Sequence, residues 1–172
     1  MFPEHMTNAI RILGLDPGLR RTGWGVVAIE GARLAHLAHG VIAPDERAAL
    51  AERLLSIFQG LEAVVTAWSP DEAAIEETFM TANGASTLKL GHARAAAMLA
   101  PAVAGLTVAE YAAKVVKKAL VGTGGAVKAQ VAFMVARLLP SAGPTTSDAA
   151  DALAVAICHA HARRARLIGA AA

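Results

Sequence analysis

Acidic residues stand at the ends of apolar segments in three places along this 172-residue chain. Asp16 closes the run Ile12-Leu13-Gly14-Leu15, the adjacent pair Glu76 and Glu77 closes Ala73-Ala74-Ile75, and Asp148 and Asp151 open an apolar stretch. Asp148 and Asp151 are three residues apart, roughly 300° of helical rotation, so both project from one face of a helix. Each position also has a plain reading. Asp-Pro-Gly makes a tight turn, and acids in a first helical turn complement the dipole by about 0.3–1 kcal/mol each. The surroundings of Asp148 and Asp151 weigh against that alone, because Ala149, Ala150, Ala152, Leu153, Ala154, Val155, Ala156 and Ile157 make the helix apolar nearly all round. Such a helix is buried, and buried carboxylates need partners. Adjacent sequence supplies no matched cation. Divalent metals resolve the repulsion. Hard oxygen ligands suit Mg²⁺ or Mn²⁺, and two ions about 4 Å apart activate a water and stabilise a leaving oxygen at a phosphodiester.

The elements that would hold these acids are legible from punctuation and periodicity. Pro17-Gly18 ends the first apolar run, so Asp16 belongs at the carboxyl end of a central strand, where open α/β sheets place chemistry. TGWGVVAIEG and RLAHLAHGVIA follow as two more strands of an antiparallel meander, and Gly23 and Gly25 mark a close approach to the second. A helix is expected over Asp45 to Trp68, stopped by Ser69-Pro70. EAAIEE then reads as a strand parallel to the first. Beyond a polar turn at Thr81 to Gly84, an Ala-rich helix runs towards Ala104 with Pro101 kinking or ending it. LTVAEY is a short strand. Ala112 to Leu120 is a basic helix, Val121 to Gly125 a Gly-rich loop and Ala126 to Leu139 a further helix. The last helix is expected over Ser147 to Leu167, with Ser147 as N-cap.

Composition sets the outer bounds. A chain that is 55% hydrophobic but only 4% aromatic suits closely packed helices on a sheet. One domain is expected over residues 10–167, between an N-terminal extension at 1–9 and a tail at 168–172. The longest uncharged segment, Ala95 to Ala109, is too short to span a bilayer, so no transmembrane helix is expected. The lone Cys158 and the absence of a signal-peptide pattern lead to a cytoplasmic expectation. Net charge is only +2, yet Thr78 to Pro140 carries seven cations against the single anion Glu110. Clustered Lys and Arg suit a polyanionic partner, although a solvated helix surface gives the same pattern.

LGLDPG followed by TGWG, then AIEETFM, LKLGHARA, EYAAKVVKKALVG and SDAADALAVAICH, resembles the bacterial RuvC-type Holliday-junction resolvases over about Arg11 to His161. The resemblance implies a ribonuclease-H-like α/β fold, with a mixed five-stranded sheet and helices on both faces. It also implies a homodimer that nicks two symmetry-related strands of four-way junction DNA, in recombination and repair, with two Mg²⁺ ions per active site, Mn²⁺ able to substitute, and a branch-migration helicase complex as partner. By residue, it implies Asp16, Glu76, Asp148 and Asp151 as catalytic metal ligands, choosing Glu76 where the strand pattern left Glu77 open. Lys117 and Lys128 match basic residues near DNA, with Lys114 and Lys118 as neighbours, and Phe79 matches an aromatic that contacts bases.

Other features have competing readings. The GTGG loop before Lys128 is either a flexible connection or a phosphate cradle, and it is no Walker A because G-x-x-x-x-G-K-[ST] is absent. Phe79 also suits a hydrophobic staple at the next helix start. His159 and His161 diverge by about 200° on a helix and cannot chelate together, which leaves His159 as a group behind the acids and His161 at the surface. Cys158 reads as an inert core thiol. Arg163, Arg164 and Arg166 read as a solubilising helix end or a DNA contact. Two rival functions stand beside the nuclease: an actin-like phosphotransferase, for whose second domain the chain has no room, and a non-catalytic DNA-junction binding module.

Overall fold

The computed structural model describes residues 8–77 and 84–170. Strand β1 (Ile10–Asp16) runs through the middle of a five-stranded sheet with β2 (Thr22–Glu30), β3 (Arg33–Ile42), β4 (Glu72–Glu76) and β5 (Val108–Tyr111), in the order β3-β2-β1-β4-β5. β1, β2 and β3 form the expected antiparallel meander, while β4 lies parallel to β1 and β5 parallel to β4. The helices are α1 (Leu50–Trp68), α2 (Gly84–Val103), α3 (Ala113–Val121), α4 (Lys128–Leu138) and α5 (Ser147–Ala170). Among the described residues no helix is long and apolar enough to cross a membrane.

Strand alternation sends side chains to two separate cores. Leu13, Leu15, Val26 and Ile75 pack with α1 and α2 on one face. Ile12, Val27 and Ala74 pack with α3, α4 and α5 on the other. Because successive strand residues alternate faces, Asp16 shares the α5 face with Ile12, and Glu76 shares it with Ala74. α5 lies almost on the sheet. A Cβ added at Gly14 would strike the carbonyl of Ala152, one at Gly23 would strike that of Asp148, and one at Gly25 would come within 2.6 Å of the Leu153 side chain. The close approach expected at Gly23 and Gly25 is therefore the first half of α5. Its alanines complete the fit, and Ala149 through Ala160 are buried apart from Asp151.

Several boundaries differ from the sequence reading for local reasons. α1 begins at Leu50 rather than Asp45, because the Asp45 carboxylate accepts from the Arg47 N–H at 2.9 Å and holds a turn in front of the helix. α1 ends as expected at Ser69, which takes a left-handed conformation and donates its N–H to Val65 O at 2.8 Å. α2 continues through Pro101 to Val103. The hydroxyl that caps α5 belongs to Thr146, accepting from Ala149 N–H at 3.4 Å, so Ser147 is the first helical residue rather than the cap. α5 also reaches Ala170, past the expected Leu167.

Candidate active site

Asp16 ends β1 and Glu76 ends β4, side by side across a parallel pair whose last matched residues are Leu15 and Ile75. Glu77 lies beyond the strand and donates its N–H to Tyr111 O. The close seating of α5 on Gly14 and Gly23 carries Asp151 to the same place. Asp16, Glu76 and Asp151 line one cavity of about 200 Å³ with Lys117 from α3 and Lys128 from α4, over an apolar floor that includes Val116, Val131 and Ala154.

The electrostatics of this cavity are strained. Burial, then the charges of Asp151 and Glu76, push the Asp16 carboxyl up from 3.8 to about 7, although Lys128 pulls the other way. Burial and Asp151 also raise Glu76 above the usual carboxylate range, against the opposing pull of Lys128 and Lys117. Lys128 Nζ donates to Asp151 Oδ2 at 2.9 Å, and that bond and charge raise the ammonium above its ordinary value. Asp148 turns to a neighbouring groove, where its Oδ2 accepts from Arg21 Nε at 2.7 Å. Two of the four acids thus have matched cations in the folded chain. Both partners come from distant segments. With the acids turned to these cations, no three metal-ligating side chains among the described residues surround a single point. The donor set itself fits a hard divalent cation: carboxylate oxygens only, one of them raised to about 7 by burial and then by its like-charged neighbours.

The other singled-out residues divide. Lys117 and Lys128 reach the acids, whereas Lys114 and Lys118 line a separate shallow depression with Val115, Ala119 and Gly124. Phe79 lies outside the described residues. In the Gly-rich loop the Gly125 N–H donates to Thr123 Oγ1 at 3.3 Å, which removes one candidate phosphate donor. His159 is not behind the acids. It is buried between two polar partners: its Nε2 donates to Glu72 Oε2 at 2.7 Å, and its Nδ1 is hydrogen-bonded to the Tyr111 hydroxyl at 2.8 Å. Glu72 begins β4, the end away from Glu76. Arg163 is neither a solvated helix end nor free for DNA, since its Nε donates to Glu72 Oε1 at 2.9 Å. Cys158 is the inert core thiol expected, raised to about 11 by burial.

Comparison with known proteins decides the lineage. The family model described as Crossover junction endodeoxyribonuclease RuvC matches residues 12–159. The chain belongs to the RuvC family. Crossover junction endodeoxyribonucleases of Caulobacter sp. (strain K31) and Maricaulis maris are 68% and 64% identical to it, over 90% and 97% of this chain and 91% and 100% of theirs. A Thermus thermophilus RuvC solved in complex with a Holliday junction substrate superposes with a TM-score of 0.85 at 34% identity, covering 91% of this chain and 96% of that one. The yeast mitochondrial Holliday junction resolvase Ydc2, at 14% identity and a TM-score of 0.67, shares the fold. RuvC proteins are metal-dependent nucleases with a ribonuclease-H-like fold, and this member is an endonuclease of that class. The actin-like rival falls with this placement.

Proposed function

We propose that this chain resolves four-way DNA junctions by paired symmetric nicks, with Asp16, Glu76, Asp148 and Asp151 holding two Mg²⁺ ions for which Mn²⁺ can substitute. The observation that carries the reading is the convergence of Asp16, Glu76 and Asp151 on one cavity, strained enough to hold the Asp16 carboxyl at about 7. The ions would supply an activated water and charge stabilisation for the departing 3′-oxygen, giving a 5′-phosphate product. The chain's own residues do the remainder. β1 and β4 hold Asp16 and Glu76 at a rigid sheet edge and α5 brings Asp151 beside them, while Asp148 and Asp151 would exchange Arg21 and Lys128 for the ions. Lys117 and Lys128, at the rim of the same cavity, neutralise carboxylates in the free protein and attract the phosphate backbone.

The deciding experiment incubates a labelled four-way junction with wild type and with Asp16→Asn, with and without Mg²⁺. Wild type should nick symmetrically only with Mg²⁺, and Asp16→Asn should shift the junction on a gel without nicking it. Wild-type-like cleavage by Asp16→Asn would sink the mechanism, and a gel shift without any wild-type nicks would favour the non-catalytic junction-binding module. A homodimer whose two-fold axis matches that of the junction accounts for paired nicks, and light scattering of the free protein measures it directly. A branch-migration helicase complex is the partner this activity calls for.

A further inference from the structure

A second groove, of about 550 Å³, opens at Asp148 and shares no lining residue with the cavity that holds Lys117 and Lys128. Its walls come from the other layer of the molecule: Arg20 and Arg21 from the loop after β1, Arg53 from α1 and Lys89 from α2. α1 and α2 cover the sheet face opposite α3, α4 and α5, so the acids lie between two cationic clefts. Only two carboxylates face these four cations in the groove. Arg20 meets Glu46 at 3.3 Å with both side chains largely exposed, an arrangement that solvent screens to a weak attraction. Arg21 meets Asp148. Among the described residues no carboxylate pairs with Arg53 or Lys89. Arg53 Nη2 donates to Leu19 O at 2.9 Å, which fixes the guanidinium beside the Arg20-Arg21 loop, while its buried Nε has no acceptor.

A fixed cluster of cations in excess over carboxylates selects an anion. Asp148 belongs to both the groove wall and the acid set, so an anion seated here is continuous with whatever lies over the acids. We propose that this groove binds backbone phosphates of the DNA strand on one flank of the scissile phosphate, the Lys117 and Lys128 cavity engaging the other flank. The assignment rests on the nuclease reading of the four acids. It gives the strand a path across the sheet edge, from the α3–α4 side to the α1–α2 side. It also gives Arg21 two partners in succession, Asp148 in the free protein and phosphate when the acid is occupied with metal.

The test uses Lys89→Ala with Arg20→Ala, two exposed residues whose loss leaves the core intact. In an Asp16→Asn background with Mg²⁺, four-way junction affinity is measured from about 50 to 200 mM salt. The double variant should bind about 5- to 30-fold more weakly at about 150 mM, and its log K against log salt slope should fall by about 1–2. Neutral methylphosphonates placed singly on either side of the cleavage site should weaken binding of the parent on both flanks and of the double variant on one flank only. An unchanged salt slope, or equal sensitivity on both flanks in the double variant, overturns the groove assignment. Efficient nicking by Asp16→Asn overturns the nuclease reading instead, so the two failures are separable.

Discussion

At the level of single residues, Asp16 pays in stability for its place. An unfolded chain releases this proton near 3.8, while the folded protein holds it to about 7. Between those values the native state binds more protons, so the contribution of Asp16 to stability falls as pH rises, and above 7 the ionised carboxylate is disfavoured where it sits. Asp16→Asn should therefore stabilise the metal-free protein at pH 8, by about 2–4 kcal/mol, with a smaller gain at pH 5. Urea unfolding at the two pH values measures it, and a variant no more stable than wild type at pH 8 would contradict the strained site. Glu72 has the opposite sign. Burial raises it, but the hydrogen bonds and charges of Arg163 and His159 outweigh burial and hold it below its ordinary 4.5. Its stabilisation is present above 4.5 and is lost as pH falls through the lower folded value. Glu72→Gln should cost about 1 kcal/mol at pH 7, since the pair is partly exposed, and the cost should shrink as acid protonates the wild-type carboxylate.

At the level of elements, everything depends on α5 lying flat on β1 and β2. Gly14→Ala puts a methyl group into the Ala152 carbonyl and the Ala156 N–H, backbone that cannot turn aside. Gly25→Ala mainly meets the movable Leu153 side chain. Overpacking of this kind costs about 1–3 kcal/mol or more, so Gly14→Ala should lower the melting temperature further than Gly25→Ala. Equal effects would mean that α5 shifts freely. Gly23→Ala, which strikes the Asp148 carbonyl, should lower cleavage of a junction out of proportion to its loss of stability. This packing also explains what the chain disclosed in advance. Strand alternation, Pro17-Gly18 and the alanine run place the three elements that bring acids together, and glycines inside a strand mark the contact. Gly14 carries the same mark within β1, but singly between Leu13 and Leu15, whereas Gly23 and Gly25 form a pair on one face of β2. The ion pairs were hidden for a different reason. Arg21 is 127 positions from Asp148, and Glu72 is 87 from His159, and nothing local in sequence carries pairings at that range. The same distance hid the fate of Arg163, which looks like part of a solvated basic helix end until β4 is seen beneath it.

For the molecule as a whole, charge is arranged so that side-chain cations occupy two of the acids proposed to hold metal. Lys128 holds Asp151 and Arg21 holds Asp148. An ion that binds only the native state stabilises it by RT ln(1 + [L]/Kd), and here it must compete with those side chains. Removing Lys128 acts on both states. The metal-free protein loses a partner for Asp151 and a charge that opposes the raised Asp16 and Glu76 carboxyls, so its melting temperature should fall. The competitor is gone as well, so the rise in melting temperature on adding about 10 mM Mg²⁺ should be larger for Lys128→Ala than for wild type, and half of that rise should come at lower Mg²⁺. Asp16→Asn should show the reverse, a higher starting melting temperature and little response to Mg²⁺. The pair of variants separates metal binding from simple charge screening, because NaCl at matched ionic strength weakens the Lys128–Asp151 attraction without binding the carboxylates. If NaCl reproduces the Mg²⁺ response in wild type and Lys128→Ala alike, the cations are surface decoration and the acids do not hold the ion.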